Sequence, residues 1–102
     1  MITYNVTIKL EKEIETQWVT WMREEHMPAL FDTGCFHSYA LHKLLQDDAT
    51  DDGVTYIAQY HCNDLNEYQT YIDKYASEMR NAAFEKFGNR FIAFRTLMEK
   101  QF

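Results

Sequence analysis

A four-stranded antiparallel sheet with two helices on one face, in the order βαββαβ, is the α+β fold this sequence predicts. Three patterns point there. The chain opens on a two-residue alternation, Ile2, Tyr4, Val6, Ile8 and Leu10 against Thr3, Asn5, Thr7 and Lys9, the mark of a half-buried strand. Twice that period gives way to helical spacing, from about Glu13 and again from Leu65. Strand-like runs follow each helical stretch, and no linker, repeat or low-complexity segment interrupts them. That order is the ferredoxin-like sandwich, and residues 1–102 read as one domain.

In the first helix Ile14, Trp18, Trp21, Met22, Glu25 and Ala29 follow a helical period. Proline disfavours helical geometry in the residue before it, so Pro28 predicts a kink or stop near Met27. Glu25 and His26 then fall in the last turn, close to the unpaired carbonyls. Ala29, Leu30 and Phe31 add about one more turn, and Gly34 is a good stop. Phe36 to Leu45 reads as the second strand and Val54 to Cys62 as the third, joined by a polar, acidic hairpin loop from Gln46 to Gly53. Asp48-x-Thr50-x-Asp52-Gly53 imitates the start of a calcium loop, but its twelfth position is Gln59 rather than a bidentate Glu, which favours a solvated turn. Asp64 and Glu67 form a capping box. They open a long second helix along Leu65, Tyr68, Ile72, Tyr75, Met79, Ala82 and Ala83, which Gly88 closes. Phe91 to Met98 is the last strand.

Composition narrows the classes of function. With 46% hydrophobic and 25% charged residues and a single proline, the 102-residue chain has the make-up of an ordered globular protein. A net charge of -6 argues against a nucleic-acid partner, which would call for a basic face. No apolar run approaches the roughly twenty residues a membrane helix needs, and the opening reads as a strand rather than a secretory signal. Cys35 and Cys62 are too few for a disulfide framework and not spaced as a metal pair. A reducing, cytoplasmic location is therefore expected.

The sheet needs cover on both faces. The last strand carries Phe91, Ala93 and Leu97 on one side and Ile92, Phe94 and Met98 on the other, and the third sets Ile57 against Tyr56, Ala58 and Tyr60. In so short a chain the expected cover for the second face is another copy, giving a homodimer of two facing sheets about a twofold axis.

Several stretches carry a family resemblance. They are Ile2-Thr3-Tyr4-Asn5-Val6, the Trp21-Met22-x-x-Glu25-His26-Met27-Pro28 segment, Thr55-Tyr56-Ile57-Ala58-Gln59-Tyr60, and Phe87 to Leu97. Together they resemble the uncharacterised bacterial domain-of-unknown-function family 4286 over nearly the whole chain. The resemblance implies the dimeric α+β barrel superfamily, which includes antibiotic-biosynthesis monooxygenases, haem-degrading and haem-binding relatives and small isomerases. It implies an architecture and leaves the reaction to be argued from the site.

His26 leads the candidate residues. Enzymes of that superfamily often work without a cofactor, a His or an acidic residue taking the proton. Here Glu25 or Asp32 would orient the His26 ring, with Trp18, Trp21 and Tyr60 lining an apolar pocket. The plainer alternative has His26 capping the helix end and the Trp pair packed in the core. Asn5 and Arg95 form a second constellation on neighbouring strands. Arg95 there would hold a ligand carboxylate or phosphate, or pair with Glu99, Asp32 or a carboxylate of the other subunit. His26, His37 and His61 fall toward one edge of the sheet and could hold zinc, iron or copper. They lack a tight ligand spacing, and strand parity threatens to divide them, so no metal and no cofactor is assigned. The expected function is a small homodimer binding a small molecule near His26. The alternatives are a cofactor-independent monooxygenase- or isomerase-like enzyme and a non-catalytic assembly module.

Overall fold

In the computed structural model, which describes residues 1–45 and 53–102, strand β1 (Ile2–Glu11) runs through the middle of a four-stranded antiparallel sheet. The order is β2-β3-β1-β4, with β2 at Ser38–Lys43, β3 at Gly53–Cys62 and β4 at Phe91–Glu99. The acidic loop and most of the calcium-loop imitation lie in 46–52, outside the described residues. β1 pairs with β3 from Ile2↔Cys62 to Glu11↔Gly53, and with β4 from Ile2↔Glu99 to Leu10↔Phe91. Residues directly opposite in such a ladder share a face. One face therefore carries Ile2, Tyr4, Ile8 and Leu10 with Tyr56, Ala58 and Tyr60, all buried under the helices.

The other face carries no helix. Asn5 lies there, donating to Thr7 Oγ1 at 3.4 Å and accepting from Gln59 Nε2 at 3.2 Å. So does His61, whose Nδ1 is 2.9 Å from Ser38 Oγ. Along β4, Ile92, Phe94 and Met98 are 54%, 63% and 44% exposed on this face. The sheet is thus apolar on both sides at β4, as the alternation predicts.

The first helical stretch changes pitch just before Met27, runs one further turn and ends short of Gly34. After a short 3₁₀ turn at Lys12–Ile14 come α1 (Glu15–Trp21), a π turn (Met22–His26) and α2 (Met27–Asp32), one after another. Pro28 sits in the first turn of α2, directly after the π turn, and donates no hydrogen bond to the carbonyls of the turn before it. The strain a proline places on the preceding turn is relieved by widening it: the Met27 amide bonds to the Met22 carbonyl, five residues back. The wider turn shifts the helical phase by one residue. Glu25, expected on the inner face, is exposed, and burial passes instead to Met27 and Leu30. Gly34, at φ +81, takes the left-handed conformation just past the end of α2.

The second helical stretch, expected as one helix, is divided at Tyr75 into α3 (Leu65–Lys74) and α4 (Ala76–Phe87). Tyr75 has φ -127, although its amide still reaches the Tyr71 carbonyl at 2.9 Å. Asp64 caps α3, accepting from the Glu67 amide at 2.9 Å, while Glu67 reaches back to the Asn63 amide at 2.7 Å. A second tie joins α1 to the sheet. Lys43 pairs with Glu15 at 2.7 Å and Tyr56 donates to the same carboxylate at 2.7 Å. The Lys43 bond, then the Tyr56 bond, hold the Glu15 carboxyl below its ordinary range.

Asp64→Ala leaves the first turn of α3 without its side-chain acceptor. It is expected to lower stability by about 1 kcal/mol, a fall of roughly 4–8 °C in Tm by calorimetry.

Candidate functional site

The phase shift in the π turn matters because it aims His26 inward, at a cleft between the helices and the inner face of the sheet. The cleft holds about 500 Å³ counting its open mouth, of which about 50 Å³ is free for the centres of water-sized molecules. That is room for a few waters or the edge of a flat ring. Val6, Ile8, Ala58 and Ala93 form its floor, and Met22, Leu30, Met79 and Ala83 close it from the helices. Small alanines on two strands and on α4 are what leave the space open.

Aromatic groups shape one end. The His26 ring stacks on Trp21 with centroids 4.4 Å apart and planes 20° from parallel. Trp21 in turn meets Phe87, at the end of α4, edge-on at 5.4 Å. Trp18 also lines the cleft and leans on Tyr56 at 5.2 Å. Burial among these groups pulls the His26 pKa down to about 4, so the ring is neutral at neutral pH. No carboxylate contributes to that shift, and among the described residues no side chain hydrogen-bonds to the ring.

The other end is phenolic and basic. Tyr4 lies 5.9 Å from Tyr60, 5.5 Å from Tyr68 and 5.7 Å from Tyr71, ring centre to ring centre. Arg80 Nη2 donates to the Tyr4 hydroxyl at 3.3 Å. Arg95 lines the same end, and among the described residues it pairs with no carboxylate. Burial pushes the Tyr60 and Tyr71 phenols well above their ordinary range, so both stay protonated.

Of the residues expected at a site, His26, Trp18, Trp21, Tyr60 and Arg95 line this cleft together. Two others do not. Glu25, one residue before His26, is turned outward and borders an outer groove with Thr20 and Lys86, so it cannot orient the ring. Asn5 and Arg95 part company because register pairs Arg95 with Val6 and Asn5 with Thr96, placing the two on opposite faces. The expected ion pairs of Arg95 with Asp32 or Glu99 do not form within the described residues. The three histidines are divided in the same way. His37 and His61 stack at 6.4 Å, with His61 on the open face, while His26 is in the cleft. Among the described residues no group of three His, Cys, Asp or Glu side chains is placed to hold a metal ion. Sequence reasoning missed Arg80 and Tyr4. The signal for Arg80 is its place beside the apolar positions Met79 and Ala83 of α4, where a cation borders the buried stripe.

Because folding depresses the His26 pKa, the unfolded chain takes up this proton first, near pH 6.5, and the folded chain only near pH 4. The contribution is fully present above pH 6.5 and is lost as pH falls toward 4, by at most about 3 kcal/mol. Urea titrations between pH 7 and 4 are expected to show this loss reduced in His26→Phe, which keeps the stack on Trp21 but cannot take up a proton.

No curated protein sequence matches the chain. Solved structures do match its fold over almost its full length. HapK from Hahella chejuensis aligns with a TM-score of 0.71 at 13% identity, covering 98% of this chain and 92% of that one. An ethyl tert-butyl ether D (EthD) family protein from Bacillus halodurans C-125 aligns at 0.67 and 9% identity, covering 99% and 100%. A dimeric ferredoxin-like protein from an uncultured marine organism aligns at 0.60 and 10% identity, covering 99% and 98%. At such identities the likeness establishes the ferredoxin-like fold and nothing more. The sequence itself is more specific: a family model matches residues 1–101, and the chain belongs to the domain of unknown function family DUF4286.

Proposed function

We propose that this protein is a cytoplasmic homodimer that binds a small molecule in the cleft beside His26. The observation that carries the binding reading is the cleft itself. It is an apolar space walled by Trp18, Trp21 and Tyr60, with an imidazole whose nitrogens no described side chain occupies. Small-molecule sites have this make-up, a mostly apolar wall with a few convergent polar groups. Dimerisation is supported by the exposed row of Ile92, Phe94 and Met98 on the helix-free face, and by the dimeric marine protein with which the chain shares its fold. Each large apolar side chain buried there would contribute roughly 1.5–3 kcal/mol. A reducing compartment is supported by Cys35 and Cys62, both free and buried.

A second reading makes the protein a cofactor-independent enzyme with His26 as general base. Its support is that the imidazole is neutral and open to the cleft. A group held near pKa 4 is a weak proton acceptor at neutral pH, however, and an efficient general base lies nearer 7. Binding is therefore the stronger reading.

Phe94→Asp, which sets a charge in the proposed interface, is expected to convert the dimer to a folded monomer in size-exclusion chromatography with light scattering. A dimer that persists unchanged would place the interface elsewhere. Native mass spectrometry of protein purified without a metal-binding tag should show twice the 12.2 kDa chain mass together with a reproducible small-molecule adduct. A bare monomer would overturn the homodimer.

A further inference from the structure

The charge around the cleft is opposite in sign to that of the chain as a whole. The protein has 16 Asp and Glu against 10 Lys and Arg. Yet none of the residues lining the cleft is acidic, and two of them, Arg80 and Arg95, are cationic. Of the basic groups outside the cleft, Lys43 has Glu15 at 2.7 Å and Arg90 has Glu11 at 3.2 Å. Arg80 has only the neutral Tyr4 hydroxyl, and Arg95 has no carboxylate among the described residues.

The two guanidiniums also share one end. Both act electrostatically on the phenols of Tyr68 and Tyr71. Both are exposed while lining the cleft, which puts them at its mouth. Trp21 and His26 are more buried than either arginine. Phe91 is on the same face of β4 as Arg95 and four residues away, a separation of about 13 Å along a strand. His26, neutral at this depth, adds no charge of its own. Two like charges beside a low-dielectric wall attract a counter-ion strongly, and the planar guanidinium fork matches a carboxylate.

Resting on the reading of the cleft as a ligand site, we infer that its ligand is a flat aromatic or conjugated carboxylate. The acid group sits at the mouth between Arg80 and Arg95, and the ring points inward toward Trp21 and His26. The arginines then set specificity for charge, and the aromatic end sets it for shape.

A matched pair of probes tests this: 2-naphthoate and its neutral isostere 2-naphthamide, titrated into the full-length protein by isothermal calorimetry. Amide shifts of the ¹⁵N-labelled protein would report the place of binding. The expected result is at least tenfold tighter binding of the carboxylate, with shifts at Trp21 and along β4. Arg80→Gln and Arg95→Gln should each erode that preference, weakening naphthoate more than naphthamide. Arg90→Gln, whose cation lies outside the cleft and pairs with Glu11, should leave the preference intact. Equal affinity for both probes, unaffected by either cleft substitution, would overturn the anion assignment while the cleft remained a binding site. A carboxylate preference that survives both cleft substitutions would place the anion elsewhere and also overturn it. Binding of neither compound at millimolar concentration to a protein with a native ¹⁵N spectrum would bring down the binding reading itself.

Discussion

β1 lies between β3 and β4, so its two-residue alternation fixes the facing of every side chain on both neighbours. Ile2, Tyr4, Ile8 and Leu10 must be buried, and that commits their ladder partners to the helical side. Arg95 is carried to the cleft because it opposes Val6, and Asn5 is carried away from it because it opposes Gln59 and Thr96. A slip of one residue in β4 would exchange Arg95 for Phe94 or Thr96 and leave the cleft without one of its cations. The basic end of the site is in this sense a consequence of how the core packs.

A second constraint acts from the helices. Pro28 cannot donate a backbone hydrogen bond, and its ring crowds the turn before it. The chain answers with a π turn, which adds one residue to that turn and rotates everything after it. His26 reaches the cleft and stacks on Trp21 through that rotation, and Glu25 is turned to solvent by it. The histidine's low pKa follows from the same geometry, because the position that offers it an aromatic neighbour also removes its water. A helix of regular pitch would have put the carboxylate on the inner face with Trp18, Trp21 and Met22.

Much of this was open to reading in advance. The alternation of β1, the capping pair Asp64 and Glu67, and the two apolar faces of β4 are local patterns, and each appears in the structure. The aromatic wall of Trp18, Trp21 and Tyr60 could be read because large rings at regular spacing seek the sheet. The pairing of Asn5 with Arg95 failed for a different reason. Neighbouring strands and a common end do not fix a common face, and the register that does so is set by side chains all along the ladder. Arg80 was hidden because its partner Tyr4 lies 76 positions away, and nothing local brings the two together.

The βαββαβ order, the buried alternation of β1, the helix caps and the family are legible in the chain alone, since all of these are written in the spacing and identity of residues close along it. Tertiary structure alone decided which groups meet. It set Arg95 against Val6, put Arg80 beside Tyr4 across 76 positions of chain, and turned His26 rather than Glu25 into the cleft. The physical reason is that register and helical phase are cooperative quantities. One added residue in a turn, or one step along a ladder, moves every later side chain together, and only the packed whole selects among those settings.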